Sequence, residues 1–150
     1  MIREAAATDI PRIIEMGSRS IGEGPYSAIL ADKPEVTTRL AEKLLTAPNA
    51  KILVSEAEDG RVYGVFAFIL FDHYYSGEFV AGEMIWYLEP EARKSGMALE
   101  LLWAAEKLAH DMGAKKMQLT APTEEIAAMY TKLRGYRKVE TAFQRSIECR

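Results

Sequence analysis

Cysteine is nearly absent from this chain. The single residue, Cys149, cannot form an intramolecular disulfide and leaves too few thiols for a zinc knuckle, so a reducing, cytoplasmic setting is expected. Histidine is also scarce, and the only two, His73 and His110, form no metal-ligand spacing; no metal site is expected. Long apolar runs are missing as well. The longest, residues 62–71, falls far short of the roughly 20 residues that cross a bilayer. The start, Met1-Ile2-Arg3-Glu4 with Asp9 soon after, lacks the unbroken apolar stretch of a signal peptide. Neither secretion nor membrane insertion is expected. Nor is there an excess of basic charge: 19 Lys and Arg against 22 Asp and Glu leave a net charge of -3, which disfavours non-specific binding to polyanions.

What remains is 150 residues, 49% hydrophobic and 27% charged, the size and composition of one globular domain with a sizeable core. The small net charge conceals a split. Residues 113–150 carry eight basic groups against four acidic ones, so the rest of the chain is distinctly acidic. Glu23, Asp32, Asp72, Glu78 and Glu83 all lie in that acidic part.

The periodicities place the elements. Residues 2–6 read as a short strand, and Thr8 or Asp9 caps a helix with Pro11 in its first turn and Ile10, Ile13, Ile14 and Gly17 on one face. Residues 18–32, with Gly22, Gly24, Pro25 and Tyr26, read as a loop. Pro34 opens a second helix with Val36, Leu40, Leu44 and Leu45 inward. Residues 51–57 and 62–71 are β-rich runs around Glu58-Asp59-Gly60-Arg61, a strong antiparallel hairpin signal. A further strand, residues 79–88, leads to an amphipathic helix over 96–112 that Gly113 ends. Residues 115–120 then form a strand parallel to the one before that helix. A short helix over 123–133 and a last strand over 136–147 complete a mixed α/β order, β-α-α-β-β-β-α-β-α-β.

The chemistry is expected where strand 79–88 turns into the amphipathic helix. The connection contains Arg93-Lys94-Ser95-Gly96-Met97-Ala98, an Arg-x-x-Gly-x-Ala pattern. Backbone N–H groups without intrahelical partners and the helix dipole make such a turn an anion site, and a pyrophosphate fits it. The competing reading is a tight turn with solvated basic side chains. The pattern is neither a Walker loop nor a dinucleotide Gly-x-Gly-x-x-Gly.

In its setting the pattern says more. A strand ending in Trp86-Tyr87-Leu88, the loop with Arg-x-x-Gly-x-Ala, an amphipathic helix, a strand and a downstream Met-Tyr-x-Lys-Leu-x-Gly-Tyr together resemble the GNAT superfamily of acyl-CoA-dependent N-acyltransferases. The resemblance implies a mixed, mostly antiparallel sheet with a splayed parallel strand pair at its centre and flanking helices. It implies that backbone groups of Trp86, Tyr87 and Leu88 pair with the pantetheine arm of acetyl-CoA, the co-substrate, and that Arg93 to Ala98 hold its pyrophosphate. A homodimer is likewise an expectation by family analogy.

A neutral amine would then attack the thioester carbonyl, which calls for a base and an acid. Glu83, on the same strand as Ile85 and Tyr87 by period two, is the candidate base; the competing reading is a solvated glutamate on an exposed strand face. Glu78 and His73 are weaker substitutes. Tyr130 resembles the tyrosine that many members place near the departing sulfur, against a purely anchoring role. Here the spacing to Gly135-Tyr136 is one residue longer, through Arg134, and Thr123 stands where many relatives have asparagine. The acceptor, a cationic amine on a small molecule, peptide or protein, is expected to contact residues 18–32, including Tyr26, and Asp72, His73 and Tyr74. Cys149, in the terminal tail, is a poor nucleophile, which favours direct transfer in a ternary complex. Two readings of other classes stay open: a catalytically silent acyl-CoA-binding or interaction module, and an enzyme that modifies a nucleic-acid base amine, the latter disfavoured by the acidic balance.

Overall fold

The computed structural model describes residues 1–147. They divide into two compact units, Met1–Thr120 and a second beginning at Ala121. Within the first unit five strands form one sheet: β1 (Ile2–Glu4), β2 (Ala50–Glu56), β3 (Val62–Asp72), β4 (Phe79–Leu88) and β5 (Lys116–Gln118). They lie side by side in sequence order. The first four are antiparallel, and only β4 and β5 run parallel. The mixed α/β architecture with a mostly antiparallel sheet and one parallel pair follows the expectation, but among the described residues β5 is the outermost strand, so the pair lies at one side of the sheet and not at its centre.

Three helices accompany the sheet: α1 (Ile10–Glu23), α2 (Pro34–Thr46) and α3 (Met97–Asp111). Ile10, Ile13 and Met16 of α1 and Ala41 and Leu44 of α2 share one core with Ile52, Val54, Val65, Ala67 and Tyr87. Phe66 and Phe68 alternate with Val65 and Ala67 and so point to the other face of the sheet. There α3 buries Leu101, Leu102, Ala105 and Ala109. Both faces of β3 are thus covered, which is why its sequence is apolar almost without interruption rather than alternating. Phe66 and Phe68 are fully buried, and each contributes roughly 1.5–3 kcal/mol of transfer free energy. The β2–β3 turn closes as the Asp-Gly signal predicts. Gly60 adopts φ 81°, and Asp59 Oδ1 accepts the Arg61 N–H at 2.9 Å.

Several boundaries differ from expectation. Residues 18–23 continue α1 instead of forming a loop. A glycine such as Gly22 costs a helix only about 1 kcal/mol, while Arg19 ties the last turns down through Glu15 at 2.6 Å and Glu89 at 2.8 Å. Gly24 and a 3-10 turn at Pro25–Ala28 follow. On α2 the buried stripe passes through Ala41 and Leu44, whereas Val36 and Leu40 are 46% and 41% exposed. They fall one position, about 100°, off the stripe. The strand expected over 115–120 is shorter.

In the second unit, α4 (Glu124–Tyr130) is capped as threonine allows: Thr123 Oγ1 accepts the Ile126 N–H at 3.2 Å. The expected helix over 123–133 ends earlier, in turns where Lys132 and Leu133 donate to Met129 and Tyr130. The last strand is not formed among the described residues: 136–147 have no ladder partner, and all but Tyr136 are exposed. A strand with no neighbour to take its backbone hydrogen bonds has nothing to hold it. Cys149 lies outside the described residues. Among those described, no helix is long and apolar enough to cross a membrane, and no group of His, Cys, Asp or Glu could hold a metal ion.

Candidate active site

Strand β4 changes its company halfway along. Val80, Ala81 and Gly82 pair with Lys116, Met117 and Gln118 of β5, and there the parallel ladder stops. One residue later the register with β3 shifts: Phe68 faces Glu83, but Ala67 faces Ile85, so Met84 is the extra residue of a β-bulge. Beyond it Trp86, Tyr87 and Leu88 pair with Phe66, Val65 and Gly64 of β3. Among the described residues no strand lies on their other side. Backbone N–H and C=O groups demand partners, so this edge suits an extended, amide-bearing ligand.

Glu83 stands at the point of separation. Its Oε2 accepts the Thr120 N–H, just past β5, at 2.9 Å. The side chain is half-buried rather than a solvated surface glutamate. Burial pushes its carboxyl up to about 7, against the opposing pull of the Thr120 N–H. A carboxylate poised near neutral pH is suited to accept a proton. Because of the bulge, Glu83 faces Phe68 while Ile85 faces Ala67, and these β3 neighbours point to opposite sides. The period-two expectation that Glu83 shares a face with Ile85 and Tyr87 therefore fails. Beside it, Gly82 has no room for a side chain: an added Cβ would stand 2.9 Å from Phe71 Cε1.

After Leu88 the chain is stapled to α1. Glu89 is fully buried, and its carboxylate pairs with Arg12 at 2.5 Å and Arg19 at 2.8 Å. Pro90–Ala92 form a 3-10 turn. The Arg93 guanidinium donates to the Leu88 carbonyl at 3.0 Å, pairs with Glu23, and lies 5.3 Å from the centre of the Tyr87 ring. The Tyr87 hydroxyl donates to Glu23 at 2.7 Å. Burial, then this carboxylate, raises the Tyr87 phenol to about 12. Lys94 and Ser95 are exposed. Ser95 Oγ donates to the Ala92 carbonyl at 2.7 Å and accepts the Met97 N–H at 3.4 Å. Gly96, at φ 83°, occupies the left-handed region as the cap of α3, and Met97 and Ala98 begin its first turn. The expected cofactor residues are therefore contiguous in space as in sequence, with Arg93 already engaged by Glu23.

The expected acceptor residues are not brought together. Tyr26 sits in the 3-10 turn after α1, close in sequence to Glu23 and hence to the Tyr87 end of β4. Asp72, His73 and Tyr74 lie at the β3–β4 turn, where Asp72 still pairs with Phe79. The His73 ring stacks on Tyr74 with centroids 4.8 Å apart, and Tyr74 is 77% exposed. Four residues of strand, about 13 Å, separate Phe79 from Glu83, and eight, about 26 Å, separate it from Tyr87. Tyr130 ends α4 in the second unit. An open depression between β1 and α2, lined by Ala5, Ala7, Ile10, Glu42, Leu45 and Thr46, holds a single carboxylate and none of these residues.

The sequence does not single out Glu89 and its two arginines, and it offers Glu23 only as one of several acidic residues, without its bonds to Tyr87 and Arg93. Arg12, Glu15 and Arg19, at helical spacings on one face of α1, were the signal for a buried counter-charge. Nothing local pointed to Glu89 as that charge.

A sequence model of the acetyltransferase (GNAT) family matches residues 21–136. No curated protein matches. Among solved structures, an aminoglycoside antibiotic 6'-N-acetyltransferase from Acinetobacter haemolyticus is 18% identical with a TM-score of 0.76, covering 99% of each chain. A Trypanosoma brucei acetyltransferase is 16% identical with a TM-score of 0.72, covering 98% of this chain and 99% of the other. A structure described as a transcriptional regulator from Bacillus halodurans is 17% identical with a TM-score of 0.79 and the same coverage. At these identities the likeness is one of fold. The family match spans more than half of the sequence, and the chain belongs to the acetyltransferase (GNAT) family.

Proposed function

We propose that the protein is an N-acetyltransferase that moves an acetyl group from acetyl-CoA to a primary amine by direct attack in a ternary complex. The observation that carries this reading is the open half of β4, with Glu83 at its start and the Gly96-capped N-terminus of α3 beyond its end. Backbone groups of Trp86, Tyr87 and Leu88 hold the pantetheine amides. N–H groups of residues 95–98, with Lys94 and Arg93, hold the pyrophosphate.

Glu83 removes the proton of the incoming amine, directly or through a water. The N–C bond forms, the C–S bond breaks, and Tyr130 returns a proton to the departing thiolate. The acceptor is cationic, in keeping with the acidic first part of the chain. Two structural neighbours whose names mention aminoglycoside acetylation support an amine as acceptor. Tyr26 contacts the acceptor, and Asp72, His73 and Tyr74 reach only one that is long. The enzyme works in the cytoplasm, as a homodimer.

The test is a mass-spectrometric screen of amines with acetyl-CoA, run beside Glu83→Gln and Tyr130→Phe. Acetylated product with the wild type and a loss of turnover in both variants is expected. Tight coenzyme A binding with no product from any amine would replace this reading with a silent binding module. Unchanged turnover in both variants at saturating substrates would remove both catalytic assignments.

A further inference from the structure

Glu23 stands between the two substrate regions of this reading. It is the last residue of α1, and the turn carrying Tyr26 begins two residues later. Its carboxylate is divided between Tyr87, which donates to Oε1 at 2.7 Å, and the Arg93 guanidinium on Oε2. The Arg93 and Glu23 side chains are 45% and 43% exposed, so the pair sits at a mouth rather than in the core.

The pairing cannot survive unchanged when a pyrophosphate enters the loop at 93–98. A phosphate group offers Arg93 a bidentate, charge-assisted partner, and it competes directly with Glu23. The other guanidinium near this turn, Arg19, is committed to Glu89 and Glu15 and does not replace Arg93. Glu23 then keeps the Tyr87 hydroxyl and the more distant charge of Arg19 but loses the cation in contact with it. The Tyr87 position lies four residues along β4 from Glu83, about 13 Å, beyond the reach of the amine that reacts.

We infer that Glu23 is a specificity-determining residue that receives a second cationic group of the acceptor, remote from the reacting nitrogen, once the coenzyme's phosphate has drawn Arg93 away. The inference rests on the acetyltransferase reading above. It makes the coenzyme and a polycationic acceptor mutually supportive, because each takes one half of an existing ion pair. It also selects for length, since the second charge must reach from Glu83 past the open edge of β4 to Glu23 on the opposite, Tyr87 face of the sheet.

Acetyl transfer to spermidine and to butylamine, which presents one aminobutyl end without the further charges, tests it. The comparison uses the wild type, Glu23→Gln and Glu23→Asp, with coenzyme A binding measured by calorimetry and folding checked by thermal unfolding. The expected wild-type preference for spermidine in kcat/KM is at least tenfold, and it resides in KM. Glu23→Gln abolishes that preference and binds coenzyme A at least as tightly as the wild type, because Arg93 has lost its competitor; Glu23→Asp restores part of the preference. A preference unchanged in Glu23→Gln, a wild type that does not prefer spermidine, or coenzyme binding weakened in Glu23→Gln would overturn the inference while leaving the acetyltransferase reading intact. Failure of the wild type to bind coenzyme A would instead remove the reading itself, and the inference with it.

Discussion

The two halves of β4 are made of the same strand and do opposite things. From Phe79 to Gly82 it lies between β3 and β5, with Val80 and Ala81 buried and Phe71 pressed on the bare Cα of Gly82. From Glu83 to Leu88, after a bulge at Met84, its strand ladder among the described residues is with β3. The closed half is held by its own ladder. The open half is held from outside, by Glu89 on two arginines and by Arg93 and Tyr87 on Glu23. In this strand, side-chain ion pairs stand at the end of the half that has no second neighbour among the described residues.

The sharpest challenge to this contrast is Glu89→Gln. It removes the buried counter-charge of Arg12 and Arg19 and leaves them the exposed Glu15 alone, and breaking such a buried pair costs about 3–5 kcal/mol. Urea denaturation is expected to show a loss in that range, and a loss below about 1 kcal/mol would mean that the open half holds itself. Next is Glu83→Gln, with a fall of about 100-fold in kcat/KM and loss of the rising limb near pH 7. The same carboxyl makes a stability prediction. Its pKa is raised from 4.5 to about 7 by burial, so its contribution is complete below the unfolded value and is lost as pH rises through 7. Thermal unfolding at about pH 5 and about pH 8 is expected to show the wild type losing stability relative to Glu83→Gln across that interval.

Gly82→Ala probes the closed half, where the new methyl group meets the Phe71 ring. About 1–3 kcal/mol of destabilisation in denaturant titrations is expected. Gly96→Ala asks an L side chain to adopt φ 83° at the start of α3. That conformation costs about 1–2 kcal/mol, and calorimetry is expected to read it as roughly tenfold weaker coenzyme A binding or an equivalent loss of stability. Tyr74→Ala, at the exposed hairpin tip far from Glu83, is expected to change KM for a short amine by less than about twofold. A larger effect would bring the tip into the site.

Several features that depend on neighbours in sequence are legible in it, though not the face of α2, where Val36 and Leu40 are exposed. Asp59-Gly60 announced the hairpin, Thr123 the cap of α4, and Gly96 the turn into α3, because each is a local backbone requirement. The amphipathic stripe of α3 was equally plain, and its Leu101, Leu102, Ala105 and Ala109 are the buried ones. The bulge at Met84 was hidden, since a register shift belongs to two strands and leaves no mark on one. That is why Glu83 was placed on the face of Ile85 and Tyr87. Glu23, Tyr87 and Arg93 meet across 64 and 70 residues of chain, and no spacing rule covers such separations. Local grounds alone predict a loop over residues 18–23, whereas the helix continues there and Arg19 within it pairs with Glu89, 70 residues away.

The placement of the tryptophans has an optical consequence. The chain has two, and Trp103 is 60% exposed on α3. Trp86 lies in the open half of β4, its ring 5.8 Å from that of Phe66. With Trp103 changed to phenylalanine, the remaining indole becomes a single emitter beside the open edge. Coenzyme occupancy can then be followed as a change in its intrinsic fluorescence, without label or chemistry.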